Sequence, residues 1–276
     1  MRSNPVLSRV ILIVLLSVGA ILFFVPVFWT VTTSFKTPKE IVTIPPALLP
    51  QSFSNLDNYG EVFERSNFGR YLFNTFLLCV VSVAGSMIVS SMAGYGFSKF
   101  RFPLREVFFF AVIGVLMVPF QSVAVPLFSY LNQINLVDTF WGLLLPLIIS
   151  AFGVLLMREG IAGIPDDYID AARIDGSSEL RIFTSVVLPM VKPSLAALAV
   201  IKFMWTWNEF FWPLLVITTP DKAVVTLGLS YFTNQHFKEY RLIMSAATLS
   251  ILPLFLLFAL LRKWMIEALT GTGLKA

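Results

Sequence analysis

Apolar residues along this chain fall into six long blocks rather than into the short periodic stripes of a soluble core. The blocks cover residues 10–31, 72–98, 107–130, 140–157, 194–217 and 242–261. Each approaches or exceeds the roughly 20 residues an α-helix needs to cross a ~30 Å hydrocarbon layer. Strands of a membrane barrel would alternate apolar and polar residues over about ten positions, and these Leu- and Phe-rich runs do not alternate. In lipid, backbone amides must be bonded within their own segment, which a helix achieves along its length. The pattern predicts an all-α polytopic membrane protein with six transmembrane helices. Prolines inside the blocks, at Pro26, Pro119, Pro126, Pro146, Pro213 and Pro253, are expected to kink these helices or to shape a path between them. The first block follows Arg2 and Arg9, exceeds the apolar core of a signal peptide and has no small-x-small site after it, so it is expected to be a retained span.

Composition agrees with the pattern. Of 276 residues 57% are hydrophobic and only 13% charged, against about a quarter charged in soluble domains. The net charge of +4 and the pI near 9.2 are explained by loops that anchor topology, because no Lys/Arg run with interleaved aromatics suggests a nucleic-acid partner. With the N-terminus placed in the cytoplasm, twelve of the 20 Lys and Arg lie on the inner side, seven on the outer side, and Lys202 within a span. This bias predicts that both termini are cytoplasmic. Cys79 is the single cysteine and sits in an apolar block, which excludes a disulfide framework and predicts a small packed hydrophobe. His236, the only histidine, is expected to be solvated in the last outer loop.

The connection between the fourth and fifth blocks, residues 158–193, stands apart. It holds ten charged residues, and a connector this long and charged usually has its own task. Its local chemistry predicts two short helices. Pro165 presets the backbone of a first turn, and Asp166 and Asp167 suit the positive end of a helix dipole. Gly176 fits the position just past a helix end, where φ is positive. Ser177 and Ser178 can cap a second helix carrying Glu179 in its first turn, which should stop before Pro189, with Lys192-Pro193 leading into the fifth span. Ala171 and Ala172 would allow close approach of another backbone, with Tyr168, Ile169, Ile174 and Leu180 as apolar contacts inside a charged rim. A helix lying on the bilayer surface accounts for the same composition.

The pattern Asp170-Ala171-Ala172, three residues, Gly176, nine residues, Val186-Val187-Leu188-Pro189 resembles the cytoplasmic coupling motif of ABC importer permeases. Asp170 stands where that family usually has Glu, and Val186 where Ile is common. Ser34-Phe35-Lys36, Asn58-Tyr59, Asn74-Thr75, Ala93-Gly94-Tyr95-Gly96-Phe97, Trp207-Asn208-Glu209-Phe210 with Pro213, and Leu269-Thr270-Gly271-Thr272-Gly273-Leu274-Lys275 are similar to carbohydrate importers, most closely the smaller maltose-type permease. The resemblance runs from about residue 10 to 276. It implies one transmembrane domain over 1–276 with a permease core at about 70–266, in which 158–193 is the cytoplasmic coupling loop between helices four and five. It implies Asp170, Ala171, Ala172, Arg173, Asp175 and Gly176 as the ATPase-coupling residues. The implied partners are a second permease subunit, two ATP-binding cassette ATPases, an extracytoplasmic solute-binding protein and membrane lipid, in a bacterial or archaeal inner membrane. No cofactor is expected on this chain. It has no Walker-type Gly-Lys-Ser/Thr loop, and ATP is used by the partner subunits.

Polar side chains in the fifth block point to a solute path. Trp207, Asn208 and Glu209 suit a sugar, since amide and carboxylate bond to hydroxyls and an indole face packs on C–H groups. Interhelical hydrogen bonds and an aromatic belt explain them equally simply. Lys202 and Glu209 share a face two turns apart, too far for a direct pair, and a carboxylate on a partner subunit is the alternative for Lys202. The expected function is a permease for a sugar or oligosaccharide, with sn-glycerol 3-phosphate, a polyol or another small solute as the alternative cargo. An ion-coupled secondary transporter would instead show repeated halves and midplane carboxylates. An enzyme would need a nucleophile–base or metal-ligand cluster, and no such spacing appears.

Overall fold

The computed structural model describes residues 5–234 and 239–271, with side chains over 9–232 and 239–260. His236 and residues 272–275 therefore lie outside the described residues. Every regular element described is helical: α1 (Pro5–Ser34), α2 (Pro38–Ile41), α3 (Asp57–Arg65), α4 (Phe68–Lys99), α5 (Arg105–Gly114), α6 (Phe120–Gln133), α7 (Phe140–Ile148), α8 (Ala151–Ala162), α9 (Asp166–Ile174), α10 (Glu179–Ile182), α11 (Leu188–Met190), α12 (Lys192–Trp207), α13 (Phe211–Val216), α14 (Val225–Asn234) and α15 (Tyr240–Gly271). Among the described residues three helices are long and apolar enough to cross a membrane unaided, within α1, α4 and α15. Three bent pairs bring the count to six if each is one span.

The bends correct the expectation of single kinked spans. In the third block Pro119 does more than kink. The residue before a proline is driven out of the α region, Val118 is extended (φ −93°, ψ 118°), and the chain turns by 100° between the helical segments Arg105–Met117 and Phe120–Gln133. In the fourth block Ile149 is extended and Ser150 caps α8 by accepting from Gly153 N at 3.0 Å, with a 40° bend. The fifth block is cut at Asn208–Phe210 between α12 and α13. Pro189 does not end its helix. Residues Phe183–Val187 form a π turn, and Leu188 N bonds Phe183 O. The widened turn accommodates a residue with no N–H to donate, and helix runs on to Met190 before an 80° bend at Val191.

The chain divides into two compact units. One comprises Met1–Gly69 with Leu229–Leu252. Within it α1 exposes apolar side chains all round, Phe23 at 87%, while its end is tied down by polar groups. Ser34 Oγ lies 2.6 Å from Tyr59 Oη, and Asn58 Nδ2 donates to Ser34 O and Lys36 O at 2.7 and 2.9 Å. Lys36 Nζ donates to Ala47 O at 2.6 Å and sits 4.3 Å from the Trp29 ring. Asn58 Oδ1 accepts from Arg241, whose guanidinium also pairs with Glu61 and Glu239. The segment that follows α1 is thus a braced cap.

The other unit comprises Arg70–Gly228 with Pro253–Ala276. Small residues set its helix contacts, as packing in lipid requires. Gly153 faces Ser90, Gly160 faces Ser194, and Gly94 faces the backbone of Met157 and Arg158. Below these contacts Met157, Ile161, Ile169, Ile182, Val187 and Leu198 form a buried cluster. Asp138 secures the turn after α13: its carboxylate accepts from Thr218 N, Thr219 N, Thr219 Oγ1 and Lys222 Nζ at 2.7–3.0 Å. Burial alone would raise its pKa, but these hydrogen bonds outweigh burial and hold the carboxyl well below the usual range. A depressed carboxylate stabilises the fold above its unfolded pKa of about 3.9 and loses that contribution as pH falls through the folded value. Asp138→Asn should therefore lower stability by about 1 kcal/mol at pH 7. The gap from wild type should shrink below about pH 4. Tryptophan-fluorescence melts in detergent at several pH values measure it, and a gap that is constant with pH would refute the assignment.

Candidate functional site

The segment after α8 is built on α4. Lys99, at the end of α4, sends Nζ to Ile164 O and Asp166 Oδ1, both at 2.6 Å. This fixes the start of α9, which begins one residue after Pro165. Ile169 is 1% exposed in the buried cluster and Ala172 packs against it. Tyr168, Asp170, Ala171 and Asp175 are exposed, and so are Ile174 at 86% and Leu180 at 68%. The alanine pair is thus divided: Ala172 faces inward and Ala171 outward. Positions three apart share a helix face, so Ala172 joins Ile169 on the inner side and Ala171 does not.

Gly176 has φ +76° and closes α9. Gly176 N bonds Arg173 O and Ser177 N bonds Ala172 O, both at 3.0 Å, the paired bonds of a Schellman stop. Ser178 Oγ then accepts from Arg181 N and caps α10. Arg173 donates Nε to Glu179 Oε1 at 2.7 Å and Nη1 to Asp170 Oδ1 at 3.1 Å. The hydrogen bond to Glu179 raises the Arg173 pKa, so this guanidinium stays charged at any working pH. Glu179 Oε2 accepts from Tyr95 Oη of α4 at 2.9 Å. A continuous chain therefore runs from α4 through Tyr95, Glu179 and Arg173 to Asp170 on the outer face of α9. Tyr95 and Lys99 were not singled out as functional from the sequence. They lie 84 and 67 residues from their partners, and no local pattern marks such a pairing.

The second set of residues, Trp207, Asn208 and Glu209, ends α12 and prepares α13. Trp207 is 3% exposed and stacks on Phe203 with ring centroids 5.5 Å apart. Asn208 Nδ2 donates to Met204 O at 2.8 Å, the carbonyl that also accepts Asn208 N at 3.1 Å. Glu209 Oε1 accepts from Trp212 N at 3.1 Å, and its carbonyl accepts from Thr226 Oγ1 at 2.6 Å. Trp212 is fully buried and donates Nε1 to Gly142 O. The three residues hold a helix break together, with Asn208 exposed and Glu209 half-buried. The indole of Trp205, by contrast, is 53% exposed and meets Phe152 edge-on.

Comparison with known proteins places this geometry. The arabinooligosaccharides transport system permease protein AraQ of Halalkalibacterium halodurans is 31% identical over 276 residues, covering 99% of each chain. The lactose transport system permease protein LacG of Rhizobium radiobacter is 33% identical over 261 residues, 93% of each chain. The sn-glycerol-3-phosphate transport system permease protein UgpE of Pectobacterium atrosepticum is 31% identical over 278 residues, 98% of each. Among solved structures, a chain of a bacterial ABC transporter involved in the import of the acidic polysaccharide alginate superposes with a TM-score of 0.85. It is 22% identical and covers 96% of this chain and 98% of that one, so it shows a shared fold. Residues 86–270, which include α8 to α13, match the model of the binding-protein-dependent transport system inner membrane components, and the chain belongs to that family.

Proposed function

We propose that this chain is one of two permease subunits of an ATP-driven importer, and that its cargo is a sugar or oligosaccharide delivered by a solute-binding protein. The observation that carries the reading is the outer face of α9 and α10. Tyr168, Ala171, Ile174 and Leu180 form an exposed apolar patch rimmed by Asp167, Asp170 and Asp175, on a helix locked to α4. A patch of this kind on a rigid mount suits a protein partner that must push. Two ATPase subunits, one per permease, are that partner, with Asp170, Ala171, Ala172, Arg173, Asp175 and Gly176 as the coupling segment. Ala172 supports the helix from inside while the others face or shape the contact. ATP is bound by those subunits, and this chain carries no cofactor. The six spans of this reading are the long helices α1, α4 and α15 and the segments built on α5–α6, α7–α8 and α12–α13, with both termini, α9 and α10 in the cytoplasm, within one transmembrane domain. Trp207, Asn208 and Glu209 shape the solute path by setting the break between α12 and α13.

Ala171→Arg tests the reading, because Ala171 faces out and its replacement leaves the core alone. Membrane insertion and melting should match wild type. Co-purification of the ATPases should weaken about 30-fold, the scale of a disrupted interface centre, and uptake should fall with it. An Ala171→Arg complex that assembles and transports normally would overturn the role of α9. A second reading has support of its own: the UgpE relatives carry an anionic solute, and an intramembrane lysine in this chain is suited to one.

A further inference from the structure

Residues 42–56, which join α2 to α3, hold no charged side chain. Val42 to Leu49 are exposed one after another, with Ile44 at 96% and Leu48 at 67%. A connection bathed in water rarely presents so many large apolar groups together. Eight consecutive residues cannot all face one way, so this stretch is a protrusion and not a flat patch. A protein partner covers one side of a segment, whereas a lipid layer surrounds whatever enters it.

The base of the loop holds it against the end of α1. The Lys36 ammonium lies 4.3 Å from the Trp29 ring and donates to Ala47 O at 2.6 Å. Trp29 precedes the last residue of α1 by more than one turn, so Ala47 is drawn back beside the span and not carried away from it. The Glu40 carboxylate closes the other side, accepting from Gln51 N at 2.6 Å and Thr37 N at 2.7 Å. Phe35 meets Phe53 and Tyr59 edge-on at 5.6 and 5.5 Å. Trp29 and Tyr59 are the residue types that mark a headgroup level. α1 exposes apolar side chains as far as Phe28, and the polar Thr32, Thr33 and Ser34 at its end are buried. The surface that meets lipid therefore continues from the helix into the loop. The backbone suits a dry layer as well. Pro45, Pro46 and Pro50 have no N–H to leave unbonded, and Lys36 already satisfies the Ala47 carbonyl.

We propose that residues 42–49 are a lipid anchor, docked into the headgroup and upper acyl region of the leaflet at the end of α1, which is the outer leaflet in the topology above. Lys39, exposed just before the run, supplies a cation for lipid phosphate. The anchor answers a need of α1. The most apolar stretch of that helix is not buried by the rest of the chain. Tilt and depth of such a helix are set by its interfacial anchors, and a braced loop supplies one without an ordering cost on contact. This inference goes beyond the importer reading and needs only that α1 spans the bilayer.

The test places a bimane label on Leu48→Cys in the full chain carrying Cys79→Ala. Nanodiscs of phosphatidylethanolamine and phosphatidylglycerol leave both faces open to solvent, so the result does not depend on orientation. Quenching by a lipid with a nitroxide high on its acyl chain is compared with quenching by iodide, and a label on Glu64→Cys, exposed on α3, is the reference. The Leu48 label should be quenched by the lipid nitroxide at least about threefold more than the Glu64 label, and by iodide about threefold less. Adding Ile44→Asp and Leu49→Asp should reverse that preference, because carboxylates leave the apolar layer. The preference should survive co-reconstitution with the second permease. Iodide quenching at Leu48 equal to that at Glu64 would overturn the proposal. Lipid quenching that persists with Ile44→Asp and Leu49→Asp would overturn it too, since the apolar side chains would not be what docks. So would loss of both kinds of quenching once the second permease or the solute-binding protein is present, which would assign the loop to that protein.

Discussion

Gly94→Leu is expected to abolish ATP-coupled uptake in a chain that still inserts into the membrane. A Cβ at Gly94 would lie 2.8 Å from Arg158 N and Met157 Cβ and 2.9 Å from Met157 C. Two of these atoms are backbone of α8, so no side-chain rotation relieves the clash, and α4 must lift away. Overpacking a well-filled core costs typically about 1–3 kcal/mol, and a leucine against backbone belongs at the upper end. The functional effect should exceed the stability effect. Met157 is the fully buried base of the cluster under α9, and Tyr95 and Lys99 hold α9 from the same turns of α4. Lifting α4 therefore breaks both hydrogen-bonded links between the spans and α9. Gly96 is the control, since nothing lies within 4 Å of a Cβ built there. Gly96→Leu should transport at close to the wild-type rate, and Gly94→Leu at less than about one-tenth of it. Equal uptake by the two variants would show that close approach of α4 and α8 is irrelevant to coupling.

What the sequence made legible followed from local chemistry. The helical stop at Gly176 depends on one residue's freedom at positive φ, and the capping of α10 on one serine, so both can be read from a few neighbours. Block lengths likewise located α1 and α4 within a few residues and the start of α15 within two, though α15 runs ten residues past the end of its block. The breaks were harder, because hydropathy does not register backbone geometry. Residues 107–130 stay apolar across Val118-Pro119, yet the chain turns by 100° there. The same limit applies at Asn208, where a polar residue that looks like a solute ligand is also the acceptor's partner at a helix end. Ala171 and Ala172 looked equivalent as a small pair, and only packing against Ile169 and its neighbours assigns one to each side. Tyr95 and Lys99 were invisible as anchors of α9 and α10 for a different reason. Their roles consist of contacts across long sequence separations, and nothing local distinguishes a tyrosine that holds Glu179 from one that lies in lipid.

Arg241→Met is expected to release the end of α1, at a cost on the order of 3 kcal/mol at neutral pH, the scale of breaking one side of a buried charge cluster. The Arg241 side chain is 10% exposed and bonds Glu61 through both carboxylate oxygens at 2.7 and 2.8 Å, Glu239 at 2.7 Å and Asn58 Oδ1 at 2.7 Å. The glutamates are partly solvated, at 26% and 35% exposure, which keeps the penalty below that of a fully buried pair. The amide contact extends the effect. By taking Asn58 Oδ1, Arg241 fixes the orientation that presents Nδ2 to Ser34 O and Lys36 O, the last carbonyls of α1 and the residues after it. Hydrogen bonds from Arg241 hold the Glu61 carboxyl below its usual range against the effect of burial. The stabilisation is therefore present above the unfolded pKa of about 4.3 and is lost as pH falls through the lower folded value. Arg241→Met should accordingly lose less, relative to wild type, at pH 4 than at pH 7. Arg241→Met leaves Glu61 with only the half-exposed Arg65, at 2.8 Å, so adding Glu61→Gln removes an under-compensated charge and should restore part of the loss at pH 7. Thermal melts of the three proteins in one detergent measure all of this. If the double variant is no better than Arg241→Met, the loss comes from packing around the arginine stem, and the charge cluster is not what holds α1.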